Sequence, residues 1–131
     1  ADEDGLTPLH FAANEGHLKI CQILMLNIVI KNPPADDDGP TPLHYAAIKG
    51  HLDVCKEIIP YLDDINPRDN DGWTPLHCAS YSGHLKLCEL FSEKIEDLNP
   101  CTNEGKTPIY FANVMNHRAV VSSLRLAQIK D

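Results

Sequence analysis

Basic side chains are scarce. Eleven Lys and Arg face 19 Asp and Glu, for a net charge of −8. Nucleic-acid binding depends on neutralising phosphates with Lys and Arg, so this balance argues against it. A basic protein or peptide surface is the natural complement. Long apolar runs are also missing. The most apolar stretch, ILMLNIVI over 23–30, is interrupted by Asn27 and ended by Lys31 and Pro33. It falls far short of the ~20 residues that a membrane helix needs. The opening ADEDGLTP has neither a basic-then-apolar leader nor an initiator Met, so the chain is expected to be part of a longer protein. Five cysteines cannot all pair within one chain, and they read as reduced thiols of an intracellular, cytoplasmic protein. A Gly-rich phosphate loop, a nucleophile elbow and an H-E-x-x-H pair are all lacking. Neither catalysis nor a cofactor is expected.

What the sequence does contain is repetition. TPLH begins at Thr7, Thr41 and Thr74, and the variant TPIY begins at Thr107. Nine residues after each Thr comes a second marker: GHLKIC from Gly16, GHLDVC from Gly50, GHLKLC from Gly83 and a degenerate NHRAVV from Asn116. A glycine stands two residues before each Thr, at Gly5, Gly39, Gly72 and Gly105. A period of this length is the mark of a stacked array.

Within one unit each residue has a physical reason. Thr41 is a good N-cap, because its hydroxyl can accept from a free amide of the first turn. Pro42 suits the first helical position, where a missing N–H costs nothing. His44 takes the place a capping box gives to Glu, and can bond back to the threonine or across to a neighbouring turn. Ala46 and Ala47 allow close helix approach, and Gly50 ends the helix in a left-handed conformation, with Asn116 as its substitute in the last unit. A second helix then shows Leu52, Cys55, Ile58, Ile59 and Leu62 at helical spacing. Leu18, Cys21 and Leu24 repeat that stripe in the first unit, and Leu85, Cys88 and Phe91 in the third. Helices of about two turns do not persist alone in water, so stability must come from stacking.

The pattern of a glycine turn, T-P-L-H-x-A-A, G-H and an apolar second helix resembles the ankyrin repeat over essentially the whole chain. The resemblance implies an all-α solenoid of helix-turn-helix pairs joined by β-hairpin-like loops. It forms a single domain over 1–131, with repeats at about 2–35, 36–68, 69–101 and 102–131. It also implies a non-catalytic module that binds a protein or peptide through a concave face of loop tips and first helices. The residues this transfers to are Asp37 and Asp38, Arg68, Asp71, Trp73 and Glu104 at the tips, and Lys49 and Tyr81 on first helices. Trp73, the only tryptophan, is expected to face solvent with Arg68 and Tyr81 nearby. Those are the residue types that most often carry interface energy. The acidic run at 36–38, with Asp71 and Glu104, is expected to steer a basic partner. Asn66 and Asn99 resemble an asparagine that some ankyrin repeats hydroxylate, although Pro follows where the family has a small residue.

Two other readings compete. One is a structural or self-associating segment of a larger protein, rather than a monomeric binder. The other is a metal- or redox-responsive protein. His17 and Cys21, His51 and Cys55, and His84 and Cys88 are each spaced i, i+4, as two ligands on one helix can be. Each pair recurs one repeat from the next, however, and the Cys falls on the core stripe, so packing is the expected role and no metal site is assigned. Cys78 is expected half-buried and inert, and Cys101 exposed at a loop tip. The polar residues Arg118, Ser122, Ser123 and Arg125 suit a terminal helix with one face in water.

Overall fold

A computed structural model describes residues 7–27, 39–62 and 64–129, with the backbone alone for 23–27. Its helices come in pairs: α1 (Pro8–Glu15) with α2 (Leu18–Asn27), and α3 (Pro42–Lys49) with α4 (Leu52–Ile58), which runs on into a short 3-10 turn, Ile59–Tyr61. The third pair is α5 (Pro75–Ser82) with α6 (Leu85–Lys94), and the fourth is α7 (Pro108–Val114) with α8 (Arg118–Ile129). First helices stack in the order α1, α3, α5, α7, while α2 lies on α4 and α6 on α8.

Each first helix starts as its sequence dictates. Thr7, Thr41 and Thr74 sit in extended backbone, and their hydroxyls accept from the N–H of His10, His44 and His77. The histidine completes the box: Nδ1 of His44 accepts from the Thr41 N–H at 3.1 Å. Because Nδ1 accepts, the ring proton lies on Nε2. That proton is donated to the carbonyl of Trp73, 2.7 Å away in the next repeat. His44 therefore bonds both back to its threonine and across to the neighbouring turn. Nε2 of His10 reaches the Pro40 carbonyl at 3.2 Å, and Nε2 of His77 reaches that of Lys106 at 3.0 Å. These three rings are buried. Burial, which penalises the charged form, lowers the His44 and His77 pKa values below 6.5 and keeps the rings in the neutral state that the hydrogen bonds need.

The first helices end at Gly16, Gly50 and Gly83 in left-handed backbone, and Asn116, at φ 62°, does the same in the last repeat. A continuous core lies between the two helix layers. Leu9, Leu43 and Leu76 fill it from the first helices, together with the paired alanines such as Ala46 and Ala47. Cys21, Cys55, Cys88, Phe91 and Leu124 fill it from the second helices. The side chain of Leu24, expected on this stripe, lies outside the described residues.

The connection before α5 is a hairpin turn without a strand among the described residues. The N–H of Asp69 donates to the Trp73 carbonyl at 2.9 Å, and the Gly72 N–H donates back to Asp69 at 3.0 Å. The Asp69 carboxylate also accepts from the N–H groups of Asp71 and Trp73 at 2.9 Å each. Thr102 closes the next turn in the same way with Lys106. Adjacent turns are then tied together, the Asn103 N–H to the Asp71 carbonyl at 2.9 Å and the Arg68 guanidinium to the Cys101 carbonyl.

Candidate partner-binding face

Trp73 does not face solvent as expected. It is half-buried against the core, its ring centroid 4.3 Å from that of Phe111 and 5.6 Å from that of Tyr81. The reason lies one repeat further on. Phe111, which follows Tyr110 of TPIY, points its ring back at the preceding repeat, a flat apolar partner against which the indole packs. The repeat frame locates Phe111 in the fourth unit but carries no sign of the direction in which its ring points. Tyr81 keeps more of its surface, at 39% exposed, with its ring edge-on to both Trp73 and Phe111. Beside them Tyr110 is exposed, with the Lys106 ammonium 4.4 Å from its ring centre.

Tyr81 occupies a position that recurs in every first helix, two residues before the Gly or Asn turn: Asn14, Ile48, Tyr81 and Val114. Its carbonyl accepts from Nε2 of His117 at 3.0 Å. Nε2 of His84 likewise bonds the Ile48 carbonyl at 3.1 Å, and Nε2 of His51 bonds that of Asn14 at 2.9 Å. The scaffold thus uses the backbone of this position in the first three repeats and leaves the side chain free to differ. Ile48, Tyr81 and Val114 are all exposed, and so is Met115 next to Val114. At this position and the next, exposed apolar side chains begin at the second repeat, since the first repeat shows Asn14 and Glu15 there.

The remaining expected positions scatter. Asp71 and Glu104 are exposed on the tied tips. Arg68 is exposed too, but its guanidinium is already engaged with Cys101. Lys49 ends α3, about 12 Å along the helix axis from its tip end. Asp37 and Asp38 lie outside the described residues. The side-chain oxygen of Asn99 accepts from Gln128 at 2.9 Å.

The His/Cys pairs separate in space by task. His51 and His84 turn to the previous repeat's backbone, whereas Cys55 and Cys88 are fully buried. Among the described residues no three His, Cys, Asp or Glu are grouped as a metal site. Burial pushes the Cys55 thiol up to about 12 and the Cys21 and Cys88 thiols to about 11, far from the thiolate that redox chemistry requires. Cys78, expected half-buried, is fully packed, and burial raises its thiol to about 12 as well. Cys101 is exposed, as its loop position implied.

A family model for ankyrin repeats, in three copies, matches residues 1–69 and again 53–130. The chain belongs to the ankyrin-repeat family. No curated protein matches it. Ankyrin repeats are generally non-catalytic modules of protein interaction, and this one keeps their capped first helices and glycine turns. Among its described residues no helix is long and apolar enough to cross a membrane.

Proposed function

We propose that this ankyrin-repeat chain is a single, monomeric, non-catalytic domain that recognises a partner protein or peptide inside the cell. Recognition uses the concave face made by loop tips and first helices. The observation that carries this reading is the row Ile48, Tyr81, Val114 and Met115. These are exposed apolar side chains on the first helices, and at Ile48 and Tyr81 the scaffold claims the backbone carbonyl. Tyr81 is the anchor, held edge-on by Trp73 and Phe111, which pre-order it and so reduce the entropy lost on binding. Trp73 acts mainly as the platform beneath it. Arg68, Asp71, Lys49 and Glu104 add exposed polar groups, and the acidic tips, with Asp37 and Asp38, favour a basic partner.

Capture of partners from native lysate by the wild-type chain and by Tyr81→Ala tests this directly. Removing the Tyr81 ring should lower the melting temperature by no more than a few degrees, for its contacts with Trp73 and Phe111, while weakening capture by about 30-fold, as for a central aromatic worth about 2 kcal/mol. Retention of every partner by Tyr81→Ala together with Met115→Ala would favour the structural-segment reading instead.

A further inference from the structure

Helix α8 carries apolar surface that the core does not use. Val120, Val121 and Leu124 are buried, but Leu126 is 60% exposed and Ile129 76%. Leu126 lines, with Ala119 and Ala127, one wall of a groove of about 1000 Å³ between α6 and α8, and Leu85, Ile95 and Leu98 lie on the other side. Among the described residues Glu89, Glu93, Glu96 and Lys94 line that groove. Glu89 is matched by Lys86 at 3.6 Å, so the exposed Glu93 and Glu96 against Lys94 give the rim its negative excess.

We propose that this groove is a second docking surface, taking an amphipathic helix of a partner protein whose apolar anchors are flanked by Lys or Arg. The apolar lining from both helices offers a trough for the i, i+3, i+4, i+7 anchors that a docked amphipathic helix carries. The acidic excess of the rim, on a chain of net charge −8, selects a basic flank. The same rim disfavours a second copy of this chain, whose groove would bring like charge against like, and it disfavours an anionic membrane surface. The site lies on the second helices, away from the loop tips and first helices, so it stands whether or not the Tyr81 face binds.

The test is an NMR titration of isotope-labelled protein with a Leu/Lys amphipathic peptide about 18 residues, or five turns, long. A Leu/Glu peptide of the same spacing is the control. Shifts confined to α6 and α8 are expected with the Lys peptide alone. Affinity should fall by about tenfold or more in Leu126→Lys and in Glu93→Lys/Glu96→Lys, all exposed positions, and should weaken with added salt. Tyr81→Ala should leave it unchanged. Shifts on the first helices, equal binding of the Glu peptide, no shifts, or a concentration-dependent dimer abolished by Leu126→Lys would each overturn the assignment.

Discussion

Two sets of histidines hold the repeats together, and they point in opposite directions. His10, His44 and His77 reach forward to carbonyls of the next repeat, while His51, His84 and His117 reach back to carbonyls of the previous one. The forward set is buried and also completes a helix cap, so each ring serves two bonds. The backward set is half-buried, lies over the glycine turn and makes one such bond. The sets also end differently. In the last repeat Tyr110 stands where the forward histidine would be, exposed, with only the threonine cap retained. At the other end His17 is the backward histidine of the first repeat, and it is exposed. The difference shows which bonds set fold stability and which mainly set the register of repeat on repeat.

His44→Ala should separate the sets most strongly. It removes a donor to Trp73 and an acceptor for Thr41 inside the stack, and should cost about 3 kcal/mol in denaturant unfolding. Gly50→Ala should come next, at about 2 kcal/mol. Its backbone is left-handed at φ 80°, and a Cβ there would stand 2.7 Å from the His84 ring, so the backward bond must shift as well. His84→Ala removes a single, more exposed bond and should cost about 1 kcal/mol. A His84→Ala loss as large as that of His44→Ala would erase the distinction.

Acid should act on the forward set in a definite direction. The folded-state values of His44 and His77 lie below 6.5, so the unfolded chain binds more protons as the pH falls through 6.5. Stability is then full above pH 6.5 and declines below it, and the decline should be shallower in His44→Ala. At the alkaline end the raised thiols of Cys21, Cys55, Cys78 and Cys88 keep their protons in the fold, so stability should fall again as pH rises above 9. Asn116→Gly should be the mildest change, within about 0.5 kcal/mol, because glycine holds φ 62° without strain and the side-chain bond it gives up, from Arg118, is exposed.

The fold was legible because each repeat states its helix starts and stops in local chemistry: Thr as cap, Pro at N1, Gly at the turn. The reach of His44 could be read only to its own threonine or to an unnamed neighbouring turn. The bond to Trp73, 29 residues on, depends on how one repeat sits against the next. The same limit explains Trp73. Its position in a loop tip argued for solvent, while Phe111, 38 residues later in sequence, decides where the ring goes. Ile48, Tyr81, Val114 and Met115 could be placed on the exposed positions of first helices from the repeat frame alone. That the carbonyls of Asn14, Ile48 and Tyr81 anchor the backward histidines was not readable, since a spacing of 36 or 37 residues crosses a stacking interface.

The central claim is that one position carries scaffold in its backbone and recognition in its side chain. The decisive measurement pairs Tyr81→Ala with His117→Ala, recording melting temperature and partner capture for both. Tyr81→Ala should lose the partner with a melting temperature lowered by no more than a few degrees, whereas His117→Ala, which releases the Tyr81 carbonyl, should also lower the melting temperature yet retain the partner when assayed well below it. Equal effects of the two variants on both readouts, or capture that survives Tyr81→Ala, would contradict it.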